Sequence, residues 1–168
     1  MPTADLSPVR RMLRRDRFAA AQGIALVEVR EGYARARMRL GPRHMNGVGV
    51  AQGGAVFTLA DFAFAAASNS HGTVAVGLDT AMTFVRAGTA GLLTAEAREV
   101  AVSRRVSVCE VQVTDEAGAV VALFRGTAFR KEEPISTVLA AAPRAKASAP
   151  RPQRRQAGRP RNRRAYGT

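Results

Sequence analysis

Residues 33–40 alternate strictly, with Ala34, Ala36, Met38 and Leu40 on one side and Tyr33, Arg35, Arg37 and Arg39 on the other. That period of two predicts a strand with one wet face, and residues 24–29, before Arg30-Glu31-Gly32, complete an antiparallel hairpin. Upstream, residues 6–21 place Val9 and Leu13 at helical spacing among arginines, which predicts an amphipathic first helix. Residues 41–54 hold five glycines and read as a loop. Residues 55–70 are apolar on nearly every side, so the helix they predict should be buried all round and stop at Gly72. Strands follow over 73–85, 92–100, 105–114 and 120–129, with turns at Ala87-Gly88, Ser103-Arg104 and 115–118. In the third of these the apolar phase moves from Val106 and Val108 to Val111 and Val113, predicting a bulge near Cys109 and Glu110. Helix, two strands, apolar helix, four strands: the economical fold is α+β, one antiparallel sheet curled around a central helix.

Charge divides the chain further. The net charge of +13 suggests nucleic-acid binding until its distribution is counted. Beyond residue 142 lie Arg144, Lys146, Arg151, Arg154, Arg155, Arg159, Arg161, Arg163 and Arg164, with no acid and four of the eight prolines. Such a segment buries too little apolar surface to offset its ordering entropy, so residues 134–168 are expected to be a disordered basic tail, able to attract polyanions nonspecifically. Residues 1–22 read as an N-terminal helix and arm, and 23–133 as the folded domain. A single cysteine excludes an internal disulfide and a Cys-based zinc site, and no stretch reaches the roughly 18 apolar residues of a membrane span. A reducing cytoplasm fits this composition.

The chemistry is narrowed by absences, because no G-x-S-x-G, G-x-x-x-x-G-K-[ST] or H-E-x-x-H motif occurs. Asp61 is the informative residue: a carboxylate midway along the most apolar helix costs several kcal/mol unless partnered, about 3 or more. It is either a structural acceptor, a member of a solvated stripe, or a functional group. Gly53-Gly54, where that helix begins, offers free backbone N–H groups backed by the helix dipole, a site suited to polarising a carbonyl. The eight residues from Gly53 to Asp61 span about 12 Å of helix, too far to act on one carbonyl. Two antiparallel copies of the helix solve this by bringing Asp61 of one to Gly53 of the other. Burial should raise the Asp61 pKa and the facing dipole should lower it.

The run Met45-Asn46-Gly47, Gln52-Gly53-Gly54, Leu59-Ala60-Asp61-Phe62-Ala63-Phe64-Ala65 and Asn69-Ser70-His71-Gly72 resembles the hotdog-fold acyl-CoA thioesterases of the phenylacetic acid degradation (PaaI) type. Gly23-Ile24, Thr83-Phe84-Val85-Arg86 and Phe124-Arg125-Gly126 extend the resemblance over about residues 15–130. It implies a homotetramer of hotdog dimers that hydrolyses aryl or medium-chain acyl-CoA without metal or other cofactor, at composite sites in the dimer interface. Asp61 would be nucleophile or general base, Gly53 the carbonyl-polarising N–H, and Asn46 a polar loop residue of the site. Gln52, Gly54 and Phe84 would line the substrate site. The chain departs from the family where Gln52 replaces a common His and Ala87 a common Pro. Arg104 and Arg105, at a turn, are the candidate pair for the CoA nucleotide, and Phe57, Phe62 or Phe64, with Phe84, for the pocket wall. Asp79 reads as a polar strand edge, His71 as a helix-end residue, His44 as a loop residue and Cys109 as core. The competing class is a non-catalytic acyl-CoA-binding regulator whose tail contacts nucleic acid; a buried carboxylate aimed at a carbonyl argues against it.

Overall fold

The computed structural model describes residues 5–141. Its elements are α1 (Ser7–Leu13), α2 (Arg17–Ala21), β1 (Ile24–Arg30), β2 (Tyr33–Arg39), a 3-10 turn (Pro42–His44), α3 (Gly53–Ser68), β3 (Thr73–Phe84), β4 (Leu92–Val102), β5 (Val106–Thr114), β6 (Val120–Pro134) and α4 (Ile135–Ala141). The six strands form one antiparallel sheet in the order β1-β2-β4-β5-β6-β3. Its inner face presents Ala34, Ala36, Met38, Leu93, Ala95, Ala97, Val111, Val113, Ala122 and Ala128, all buried against α3. So many alanines let the sheet wrap closely, and at Gly126 it closes onto the helix. A Cβ there would lie 2.9 Å from the Phe64 ring, so only glycine fits without a shift.

The β1–β2 hairpin forms as the alternation predicts, turning at Gly32 in the left-handed region. The expected single first helix breaks in two, because Asp16 Oδ1 accepts the Ala19 N–H at 2.9 Å and starts α2 afresh. Nor is it an arm, since Val9 and Leu13 join the core. In β5 the alternation runs unbroken, with Ser107, Cys109, Val111 and Val113 all inward. The bulge sits on the partner strand, at Val100 of β4. The expected tail beginning at residue 134 meets an ordered helix instead: Ile135 and Leu139 of α4 are buried, and Arg15 donates to the Leu139 carbonyl at 3.0 Å. The basic segment from 142 onward lies outside the described residues.

α3 itself departs from expectation. Val56, Leu59, Ala60, Ala63 and Ala67 are buried, while Gly54 and Asp61 are exposed and Phe57, Thr58 and Ala65 half-buried. The curled sheet covers one side of the helix and leaves a stripe open at spacing i, i+3, i+4.

Candidate active site

The start of α3 is built by the loop before it. Gln52 is extended, and both its backbone carbonyl and its side-chain Oε1 accept the Ala55 N–H, at 2.9 and 3.2 Å. The N–H groups of Gly53 and Gly54 meet no acceptor among the described residues, and they point out of a 16-residue helix with its positive end behind them. Both glycines sit close to neighbouring side chains: a Cβ at Gly54 would lie 2.7 Å from Gln52 Oε1 and displace that cap, and one at Gly53 would lie 3.0 Å from Phe84 Cζ. Gln52, expected as a substrate contact, is first of all the helix cap.

Two hydrogen bonds bolt this turn to its neighbours: Ala51 N–H to the Gly88 carbonyl in the β3–β4 loop and Gln52 N–H to the His44 carbonyl of the 3-10 turn, both 2.7 Å. Asn46 Oδ1 accepts from Val48 and Val50 N–H at 3.0 and 3.2 Å. Its carbonyl is thus committed to shaping the loop, and its amide NH2 has no acceptor among the described residues. His44, expected as a loop residue, is buried. Its Nδ1 accepts the Gly41 N–H at 2.9 Å, and its Nε2 lies 2.9 Å from the Gln22 carbonyl oxygen and 3.2 Å from Arg43 Nε. That role escapes a sequence reading because Gln22 is remote along the chain.

A hollow of about 360 Å³ opens between Gly53, Val56, Phe84, Val85 and Gly88, and a second of about 410 Å³ lies on the other side of the helix start, among Phe18, Arg43, Gln52, Gly54 and Phe57. Another hollow, of about 530 Å³, lies on the sheet's outer face among Ala81, Val100, Leu123 and Arg125, away from these donors. Phe84 and Phe57 therefore stand beside the helix start. Phe64 does not: it packs in the core on Phe124, 5.7 Å between centroids, and Phe62 lines a separate groove with Leu13 and Asp16.

Asp61 faces out along the open stripe with Gly54 and Thr58. Although exposed in the single chain, its carboxyl is crowded enough at its base that desolvation raises its pKa above the ordinary value, and the nearby Asp16 carboxylate adds to the rise. Asp61 and Gly53 stand about 12 Å apart along the helix and so do not meet on one carbonyl within the chain. Arg104 and Arg105 lie still farther off, at the other end of β4, whose 11 residues span roughly 35 Å. Both pair with Glu132, at 3.1 and 3.5 Å. Asp79 is exposed on β3.

Two further groups fall outside the site. His71 meets Glu99 at 2.5 Å, and Ser107, fully buried, donates to the other oxygen of the same carboxylate. Cys109 is buried beside Ser107, and desolvation pushes its thiol up to about 12.

Among known proteins, the thioesterase superfamily model matches residues 48–122, from the glycine loop through α3 and into β6. The acyl-coenzyme A thioesterase PaaI of Escherichia coli is 37% identical over 120 residues, 71% of this chain and 86% of that protein. The solved structure of E. coli PaaI superposes with a TM-score of 0.73 at 34% identity, covering 76% of this chain and 93% of the other. A Streptococcus mutans protein solved bound to acetyl-CoA gives a TM-score of 0.64 at 27% identity, covering 66% and 90%. With the sheet wrapped on its helix, the free N–H pair at Gly53 and this identity over most of both chains, the protein belongs to the thioesterase superfamily as a PaaI-type, hotdog-fold acyl-CoA thioesterase.

Proposed function

We propose that the chain hydrolyses aryl or medium-chain acyl-CoA thioesters of the phenylacetyl-CoA type at two composite sites of a homodimer. The observation that carries this reading is the pair of unacceptored N–H groups at Gly53 and Gly54 on the same helix as an outward-facing Asp61, too distant from them to share a carbonyl. A second copy of α3, antiparallel and alongside, supplies the missing partner to each end. The thioester carbonyl oxygen then lies on the Gly53 N–H, which stabilises the developing oxyanion. Asp61 of the other copy attacks the carbonyl carbon or takes a proton from an attacking water, the C–S bond breaks, and the CoA thiolate leaves. Overall, one water is consumed per thioester, releasing the acid and CoA. In this reading Asn46 Nδ2 supplies a further donor, and Gln52, Gly54 and Phe84, which line the hollows on either side of the helix start, contact the substrate.

The sheet edges favour this pairing. β1 is seven residues long, bulged at Val27 and carries charged Glu28 and Arg30, features that blunt an edge. β3 is a 12-residue edge whose one charge is Asp79, with Val76, Leu78 and Phe84 exposed, and among the described residues it pairs only with β6. Such an edge is a template for a second copy of itself. The acetyl-CoA bound by the S. mutans relative is consistent with the substrate class. Arg104 and Arg105 reach a site only from another subunit of a dimer of dimers.

Thiol release from phenylacetyl-CoA tests the assignment. Asp61→Asn should lose at least about a hundredfold in kcat. Mixing it with Gly53→Ala should restore activity, since half the randomly assorted dimers hold one intact pair, about a quarter of the wild-type sites. Full activity in Asp61→Asn, or no recovery on mixing two subunit-exchanging variants, overturns the composite site.

A further inference from the structure

The hollow beside Gln52 and Gly54 has an apolar wall of Phe18, Met45 and Phe57, and one charged side chain enters it, that of Arg43. Three observations define this guanidinium. Arg43 sits in the 3-10 turn Pro42–His44, which His44 anchors through Gly41 and Gln22 and whose His44 carbonyl holds Gln52, the cap of α3. The cation is therefore tied to the same rigid loop as the free N–H groups of Gly53 and Gly54. Next, it packs on the backbone of Gly23: a Cβ there would lie 2.7 Å from Arg43 Nη2, and Gly23 has φ +71°. Glycine is needed at that position for its backbone, and its bareness leaves the guanidinium its seat. Lastly, no carboxylate lies within ion-pair distance of Arg43 among the described residues: its Nε lies 3.2 Å from His44 Nε2, and its terminal N–H groups meet no acceptor there.

A guanidinium is a planar fork of N–H donors that takes two oxygens of a carboxylate or phosphate at once. We propose that Arg43 is a substrate-binding residue that grips an oxyanion of the thioester, either a terminal carboxylate on the acyl group or a phosphate of CoA. This rests on the site proposed at the start of α3. In that setting the hollow recognises a negatively charged arm of the substrate, one side of the helix start away from Phe84, while Arg104 and Arg105 remain paired with Glu132.

Calorimetric binding to the full chain, with analogues carrying a methylene between carbonyl and sulfur, separates the sources without turnover. Four ligands suffice: the phenylacetyl and adipoyl (six-carbon dicarboxylic) analogues, each on CoA and on phosphate-free pantetheine. Arg43→Gln should weaken at least one anionic ligand by about tenfold or more, leave neutral phenylacetyl-pantetheine within about twofold, and be partly rescued by Arg43→Lys. A loss that follows CoA assigns the phosphate, and one that follows the adipoyl group assigns the carboxylate. Gly23→Ala should shift the same ligand, and Arg125→Gln, on the outer sheet face, should shift none. Unchanged affinity for all four ligands in Arg43→Gln overturns the proposal, as does an equal loss on all four, which marks a purely structural residue. The rate of Asp61→Asn on phenylacetyl-CoA, read in the same series, reports separately on the site itself.

Discussion

Gly53→Ala separates stability from chemistry at one atom. Within a helix, alanine is favoured over glycine by up to about 1 kcal/mol, less at the first position. Against this, the new Cβ would stand 3.0 Å from Phe84 Cζ, so the ring must yield by a few tenths of an ångström. Phe84 is 54% exposed on an edge strand, and turning its ring off its preferred rotamer costs about 1 kcal/mol. The two effects nearly cancel, and Tm should stay within about 4 °C of wild type. The rate should not stay, because the methyl stands where a carbonyl oxygen must come within about 3 Å of the N–H. A displacement near 1 Å costs about a hundredfold. Differential scanning fluorimetry and thiol release from phenylacetyl-CoA read the two quantities. Adding Phe84→Leu removes the steric contact and should recover any lost Tm, but not the rate, relative to Phe84→Leu alone. Wild-type kcat/KM in Gly53→Ala, or a rate that returns together with Tm in the double variant, would refute the role of this N–H.

The raised pKa of Asp61 means that the folded chain keeps a proton the unfolded chain has already released, so between the ordinary carboxylate value and the raised one, stability falls as pH rises; urea melts at stepped pH should show this slope in wild type and not in Asp61→Asn. Asp16→Asn keeps the α2 cap but removes the second cause of the rise, so the acid limb of the kcat profile should move to lower pH. Cys109, with its thiol near 12 and no exposure, should resist iodoacetamide at pH 8 in the native chain and react once unfolded in urea, followed by intact mass. A chain ending after Ala141 should keep the full-length Tm, whereas Leu139→Ala, which empties a buried site between α1 and α4, should cost about 2–4 kcal/mol in denaturant unfolding.

The strands were readable wherever hydrophobicity alone decides which way a side chain points. In β2, alanine and methionine alternate with arginine, and the sheet follows. In β5 the same logic inverts the observed faces, because Val106 and Val108 face outward while Ser107 is buried. Ser107 goes inside because Glu99 accepts its hydroxyl, and Glu99 lies on another strand. A partner supplied by tertiary structure is invisible to a pattern along one strand. The phase change along β5 predicts a bulge there, and the bulge lies instead on its partner strand, at Val100 opposite Val108 and Cys109. α4 escapes the pattern for a different reason: Ile135 and Leu139 have helical spacing, yet they adjoin a segment whose composition suggests disorder, and so short a helix does not stand out from it.

Asp61 shows where such reading stops. Its oddness on an apolar helix was visible, and so was the distance that keeps it from Gly53, since both follow from residue type and helix rise. Its exposure was not visible, because an alanine-rich helix is nearly uniform in hydropathy and gives no sign of which stripe the sheet leaves bare. That bare stripe and the unguarded edge of β3 are two independent departures from what a self-contained chain needs. Among the described residues nothing covers either the β3 edge, with Val76, Leu78 and Phe84 exposed, or the helix stripe that carries Asp61. The proposed dimer would account for both, because the contact that covers the edge would also carry each Asp61 to the other's free N–H groups.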